Sequence, residues 1–163
     1  MATPKGRNVR PTTDRVRESW MSAMGGSFED LNVLDLFAGS GSLGLECLSR
    51  GAAHCTFVER SGAAARVLRA NVATLDASDR SRVVEADAVS FARGLGPRAF
   101  DLAVADPPYG HGFAATLIET FLREPFALEL WVEHRSDEAL PASPALRQRR
   151  YGDTTLTALT AEA

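Results

Sequence analysis

Between residues 31 and 135 the chain alternates between short apolar runs and longer segments that carry an apolar face every three to four residues. The runs "LNVLDLF" (31–37), "HCTFVE" (54–59), "SRVVEA" (81–86), "FDLAVAD" (100–106) and "FALELWVEHR" (126–135) read as strands. They are short, almost continuously apolar and bounded by turn-forming or polar residues. "SLGLECLSR" (42–50), "GAAARVLRANVATL" (62–75), "AVSFARGL" (88–95) and "GFAATLIETFLR" (112–123) read as the helices between them. Parallel strands need a crossover of this length, so the pattern predicts βαβ units and a parallel sheet with helices on both faces. "LRQRRYGDTTLTALTAE" (146–162) reads as two more strands around a turn at Gly152 and Asp153. The expected fold is α/β and Rossmann-like: a mostly parallel seven-stranded sheet ending in an antiparallel hairpin. In such sheets ligands bind beyond the carboxyl ends of the strands, so functional residues are sought just after each strand.

Ahead of the sheet, "TDRVRESWMSAM" (13–24) spaces Val16, Trp20 and Met24 at helical intervals. It reads as an amphipathic helix capped by Thr13. Residues 1–20 carry five basic side chains against two acidic ones, a net +3, which leaves −6 for the rest of a chain whose total is −3. A basic arm on an acidic body points to a polyanion partner, or keeps a terminus solvated. The expected division is a basic arm and helix over 1–30 and a ligand-binding domain over 31–163, compact as a whole. At 163 residues the chain is long enough for its own core. No run of 18 apolar residues and no signal-peptide core is visible, so a cytoplasmic protein away from membranes is expected. Cys47 and Cys55 form neither a disulfide framework nor a metal set. They read as buried free thiols, and no metal is expected.

"VLDLFAGSGSLG" (33–44) follows the first strand and contains Gly39, Gly41 and Gly44. Glycines let a backbone approach a ligand, and the following helix offers unpaired N–H groups. The Lys-Ser/Thr pair of a phosphate-binding P-loop is missing. Glu59 ends the second strand, 20 residues after Gly39, where a carboxylate can grip ribose hydroxyls. Asp35, inside the end of strand one, suits a ligand that carries an ammonium group. Asp87 stands after strand three, where it either accepts from an adenine amine beside the Ala88 backbone or caps the next helix. Phe37 either flanks the ligand or packs in the core. A ribose, an adenine and a cation together describe S-adenosylmethionine. The loop resembles the first motif of class I methyltransferases, which implies the methionine end for Asp35, the ribose for Glu59 and the adenine edge for Asp87.

The fourth strand ends in "LAVADPPYGHG" (102–112). Asp106 precedes a proline and is pushed to an extended conformation. Pro107 and Pro108 have fixed φ and no N–H to donate. The turn is therefore stiff and offers only acceptors, the Asp106 carboxylate and the Pro107 carbonyl, with Tyr109 as a flat face. That set suits an exocyclic amine on a base. Two acceptors turn its lone pair toward an electrophile and stabilise the charge that develops on nitrogen. "DPPY" resembles the motif of amino-methyltransferases acting on adenine, guanine or glutamine amide nitrogens. His111, two residues on, is either a substrate contact or an ordinary loop histidine.

With "RPTTDRVRES" (10–19), "LDLFAGSGSLGLECLSRGA" (34–52) and "YGDTTL" (151–156), the chain resembles the RsmD-type 16S ribosomal RNA guanine-N2 methyltransferases from Arg10 to about Leu159. The resemblance implies a methyltransferase domain over 31–163 and methyl transfer from S-adenosylmethionine to a guanine N2 in small-subunit rRNA, free or within an assembling subunit. Arg10, Thr12, Thr13, Arg15 and Pro108 are then expected at the substrate mouth. Members of that family carry a short β-rich segment before this motif; here nine residues precede Arg10. Basic side chains near the mouth would hold flanking phosphates. Arg147, Arg149 and Arg150 would add to these, or are simply the exposed residues of a strand. A monomer is expected. Competing readings are an amino-methyltransferase for DNA adenine or tRNA guanine, an oxidoreductase using the glycine loop, and a non-catalytic RNA or assembly factor.

Overall fold

In the computed structural model, which describes residues 13–162 and side chains from Arg17 onward, each predicted element lies within about two residues of its expected bounds. The order is α1 (Thr13–Ala23), β1 (Asn32–Leu36), α2 (Ser42–Ser49), β2 (His54–Glu59), α3 (Gly62–Thr74), β3 (Ser81–Glu85), α4 (Ala88–Arg93), β4 (Phe100–Ala105), α5 (Phe113–Arg123), β5 (Ala127–Arg135), β6 (Arg147–Tyr151) and β7 (Thr154–Thr160). A single 3₁₀ turn at Ser78–Arg80, which the sequence reading missed, leads into β3. All seven strands form one sheet in the order β3-β2-β1-β4-β5-β7-β6. The first five are mutually parallel, whereas β7 runs antiparallel to both β5 and β6. The strand order reverses between β1 and β4, and that switch point opens the crevice beyond their carboxyl ends.

The central strands read as unbroken apolar runs because both of their faces are covered. On one face Val33, Cys55, Phe57, Val104 and Trp131 pack against Trp20 and Met21 of α1, Leu45 and Leu48 of α2, and Leu68 and Val72 of α3. On the other face Leu34, Leu36, Ala103, Ala105 and Val132 meet Ala88 and Ala92 of α4 and Ala114, Leu117, Ile118 and Phe121 of α5. The spacing of those four α5 residues is the apolar stripe that makes this segment helical. Three local expectations are corrected. Thr13 is the first residue of α1 rather than the residue before it. The buried face of α1 runs through Trp20 and Met21, with Met24 beyond the helix end and only partly buried. Helix α4 stops at Arg93 because Gly94 closes it with bonds back to the Ser90 and Phe91 carbonyls.

Cys47 on α2 and Cys55 on β2 are both free and buried, as expected. Burial pushes the Cys47 thiol up to about 12 and the Cys55 thiol well above its ordinary value. Neither is a ready nucleophile. No helix among the described residues is long and apolar enough to cross a membrane.

Candidate active site

The chain leaves β1 through a strained turn. Phe37 has φ +57°, a conformation uncommon for residues with a side chain. Its ring reaches Phe113 at the start of α5, with centroids 5.1 Å apart. The glycine loop that follows is fixed from several sides. Ala38 N–H donates to the Val58 carbonyl at 3.0 Å, and Gly39 N–H donates to Glu59 Oε1 at 2.7 Å. Asn71 on α3, 6% exposed, donates its amide to the Ser40 carbonyl at 3.0 Å. A Cβ at Gly44 would meet the Phe57 ring at 2.5 Å and Cys55 Sγ at 2.6 Å, so α2 lies too close to β2 for any larger residue. The loop is therefore pre-organised by protein contacts alone.

The three acids assigned to this loop occupy different situations. Glu59 accepts from Gly39 N–H with one oxygen and from Ser61 N–H, 2.8 Å away, with the other. It clasps the loops after β1 and β2 while also lining a cavity. Asp87 caps α4 by accepting from Ser90 N–H at 2.9 Å, a bond that holds its carboxyl below the usual range. The helix-cap reading is thus observed, and the same carboxylate lines the cavity. Asp35 is different. It is 1% exposed, and its Oδ2 accepts from Gly44 N–H at 3.0 Å, pinning the start of α2 to β1. Burial raises its carboxyl to about 8, against the pull of the Gly44 bond, and the charges of Asp106 and Glu59 raise it further.

The cavity measures about 370 Å³ and lies beyond the carboxyl ends of β1, β2 and β4. Its lining is Phe37, Val58, Glu59, Arg60, Ser61, Asp87, Ala88, Pro108 and Phe113. The volume is at the lower end for small-molecule sites, and the make-up is typical: apolar walls with a few polar groups. Five of the nine, Phe37, Glu59, Asp87, Ala88 and Pro108, were singled out in the sequence. Val58, Arg60, Ser61 and Phe113 were not. Phe113 carried a signal, since it opens α5 directly after Gly112, which has φ +73°. Asp35, Gly39, Gly41, Asp106, Pro107 and Tyr109 lie outside this lining. Pro108, expected on the substrate side, forms part of the same wall as Glu59 and Asp87.

Strand β4 ends at Ala105 and delivers the acceptor loop. Asp106 is half-buried, Pro107 buried and Pro108 exposed. Tyr109 does not stand loose. Its hydroxyl donates to Glu133 Oε2 at 2.8 Å and lies 3.3 Å from Thr154 Oγ1 at the start of β7. Glu133, on β5 and 5% exposed, accepts with its other oxygen from the Trp20 indole N–H at 3.3 Å. One buried carboxylate thus ties α1 to the acceptor loop. Sequence reasoning missed it, though a signal existed. Alternation on β5 assigns Trp131 and Glu133 to one face, and an acid on an inner face requires partners. His111 is exposed, its ring 5.6 Å from that of Phe113. Arg10 and Thr12 fall outside the described residues; Thr13 and Arg15 lie in α1, with their side chains outside the description.

The arrangement has a nucleoside-sized cavity on one side of the β1–β4 switch point and a rigid acceptor loop at the point itself. Comparison with known proteins bears on what it does. A family model described as Conserved hypothetical protein 95 matches residues 1–160. Ribosomal RNA small subunit methyltransferase D of Escherichia coli K12 is 36% identical over 148 residues, covering 89% of this chain and 74% of that protein. Its Haemophilus influenzae namesake is 35% identical over 138 residues, covering 81% and 71%. Among solved structures, Escherichia coli YhhF superposes with a TM-score of 0.83 at 34% identity, covering 100% of this chain and 92% of that one. A T. thermophilus 16S rRNA N2 G1207 methyltransferase, RsmC, in complex with AdoMet and guanosine shares the fold at TM-score 0.70 and 18% identity, covering 97% and 45%.

Proposed function

The chain belongs to the family described as Conserved hypothetical protein 95, the RsmD family, and from that premise we propose that it is an rRNA methyltransferase using S-adenosylmethionine. The finer reading is transfer of a methyl group to the exocyclic N2 amine of a guanine in small-subunit rRNA. The observation that carries it is the Asp-Pro-Pro-Tyr loop at the end of β4, whose Pro108 walls a cavity that also holds Glu59 and Asp87. The residues present fit the cofactor. Phe37, Val58, Pro108 and Phe113 offer apolar walls for a purine, and Glu59 and Asp87 offer acceptors for ribose hydroxyls and an exocyclic amine. When bound, S-adenosylmethionine supplies a methyl already activated on a cationic sulfur, whose S–CH3 bond breaks as the N–CH3 bond forms, leaving neutral S-adenosylhomocysteine while the amine releases one proton.

The chain then has to present the amine. The Asp106 carboxylate and the Pro107 carbonyl accept the two N–H groups, so the nitrogen lone pair is freed from the plane of the ring. As positive charge develops on nitrogen, the Asp106 carboxylate stabilises it; removing one such pre-organised partner typically costs about two to three orders of magnitude in rate. Tyr109 supplies a stacking face worth about 1–3 kcal/mol for a base on an aromatic ring. Its tie to Glu133 fixes that face before substrate arrives. A paired guanine buries its N2, so the base has to be unpaired or flipped out to reach the loop.

The test is labelled-methyl transfer from S-adenosylmethionine to small ribosomal subunits lacking guanine-N2 methylation, with naked rRNA and DNA alongside, followed by mass spectrometry of the digested nucleosides. A single N2-methylguanosine in rRNA is the expected product. Methylation of another atom or of DNA alone overturns the finer reading, and no transfer to any of the three overturns the activity.

A further inference from the structure

Strand β6 reads Arg-Gln-Arg-Arg-Tyr and forms the outer edge of the sheet, with four of its five residues exposed. Three arginines within four positions carry positive charge on a chain whose net charge is −3. No carboxylate among the described residues lies within ion-pair distance of Arg147, Arg149 or Arg150. Two of them are nonetheless held in position. Arg147 lies over the Trp131 ring at 5.9 Å and donates to Thr160 Oγ1 at 3.0 Å. Arg150 donates through Nε to the Gly152 carbonyl at 2.8 Å. The Arg149 guanidinium has no hydrogen-bond partner among the described residues.

The register puts this charge beside the acceptor loop. Glu133 pairs with Leu156, and Leu156 pairs with Arg149. Glu133, Leu156 and Arg149 therefore form one row across β5, β7 and β6, and Asp106 leaves β4 one residue past the Ala105–Val132 pair. Three strand spacings separate β4 from β6, about 14 Å. Cross-strand partners share a face, so Arg149 and Arg147 lie on the face that Glu133 and Trp131 occupy, whereas Arg150, paired with Thr155 and through it with His134, lies on the other face of the same edge. Tyr109 reaches that same region through Glu133 and Thr154. The cavity lies toward β1, β2 and α4, with Pro108 and Phe113 completing its wall. A base held at Asp106 thus has the cavity to one side and the arginines to the other, at the range of backbone phosphates a few nucleotides away.

We propose that the β6 edge is an RNA-binding surface on which Arg147 and Arg149 from one face and Arg150 from the other hold the phosphodiester backbone flanking the target base. The surface deepens the rRNA reading given above and rests on it. Charges on an edge strand also deter edge-to-edge association, but that role accepts either sign. The phosphate role requires the positive one.

The experiment measures binding of a 16S rRNA transcript, with no methyl donor present, from about 50 to 200 mM KCl. Wild type is compared with the triple variant Arg147→Ala, Arg149→Ala, Arg150→Ala and with Arg149→Glu alone. A control triple, Arg66→Ala, Arg82→Ala and Arg123→Ala, removes the same charge from exposed sites elsewhere, Arg82 being on the opposite edge strand. Each lost phosphate contact reduces the slope of log affinity against log salt by about 0.7–0.9, so the β6 triple should lower it by about two to three. Its affinity at about 0.1 M salt should fall tenfold to a hundredfold. Arg149→Glu should weaken binding in the same direction. Unchanged affinity and slope in the β6 triple, an equal fall in the control triple, or an Arg149→Glu chain that binds like wild type each overturns the proposal. Transfer to subunits is scored separately. A wild type that methylates rRNA yet is indifferent to β6 overturns the surface alone, whereas one that binds through β6 but makes no N2-methylguanosine supports the surface and overturns the reaction.

Discussion

Tyr109→Phe removes one oxygen and leaves the stacking ring intact, so it tests what the hydroxyl's ties to Glu133 and Thr154 contribute, and the cycle below separates out the Glu133 share. The hydroxyl donates to Glu133 at 2.8 Å in a half-buried setting. A hydrogen bond to a carboxylate is worth about 1.5–3 kcal/mol. If the bond serves to hold the ring where the base must stack, its loss appears in the transfer rate as a fall of about tenfold to a hundredfold. Cofactor affinity should be unchanged, because neither Tyr109 nor Glu133 lines the cavity. The decisive assay is a double-mutant cycle with Glu133→Gln. Glutamine keeps an oxygen for the Trp20 indole N–H and presents an amide to Tyr109, so alone it should lower kcat by less than Tyr109→Phe does. In the Tyr109→Phe background there is no hydroxyl to serve, and Glu133→Gln should then change kcat little. The coupling expected between such directly bonded residues is about 0.5–3 kcal/mol. Equal effects of Glu133→Gln in both backgrounds, or a Tyr109→Phe chain with wild-type kcat, refutes the positioning argument.

Asp106→Ala should lower transfer by at least a hundredfold, in line with loss of one pre-organised partner, while the calorimetric Kd for S-adenosylmethionine stays within a few-fold; parallel loss of both removes Asp106 from the reaction. Glu59→Ala should raise that Kd and also lower the melting temperature of the ligand-free chain, because both of its oxygens clasp loop N–H groups; an unchanged melting temperature contradicts the structural half of that statement. Asp35 has a folded value of about 8 against an ordinary 3.8, so between those pH values the folded chain keeps a proton that the unfolded chain has released. Its contribution to stability is therefore present at low pH and lost as pH rises from about 4 to about 8. Asp35→Asn should flatten that part of the stability curve in pH-series melts, and parallel wild-type and variant curves would disprove it.

The fold was legible because strands covered on both faces announce themselves as unbroken apolar runs, and glycines or prolines mark where each one stops. The turns after β1 and β4 were recognisable for a related reason: their backbone character is local, carried by neighbouring residues whose φ angles and missing donors follow from residue type, while the roles proposed for their side chains await the transfer experiments. What stayed hidden depended on contacts distant along the chain. Glu133 meets Trp20 across 113 positions and Tyr109 across 24. Phe113 completes the aromatic wall only because α5 returns beside the turn after β1. Asn71 reads as an ordinary helix residue until α3 brings it under the Ser40 carbonyl. Asp35 shows the opposite limit. Its type and position suggested a contact to a ligand's ammonium group, and its burial beneath Gly44 is decided by how closely α2 packs on the sheet.

Two carboxylates divide the work of holding the crevice in shape. Glu59 joins the loops after β1 and β2, and Glu133 joins α1 to the loop after β4. Each tie belongs to one half of the sheet, and the halves meet where β1 pairs with β4 and Asp35 lies opposite Val104. A parallel sheet buried on both faces deforms little, so the distance between the two loops is set by the strands rather than by either ligand. On the proposed reading, a methyl donor on the β1–β2 half and an amine at β4 would meet at a separation fixed in advance, which is how proximity lowers a barrier without cost at the moment of reaction. It follows that damage at Glu59 should be repaired by excess cofactor, whereas damage at Glu133 should not, because no concentration of donor re-aims Tyr109.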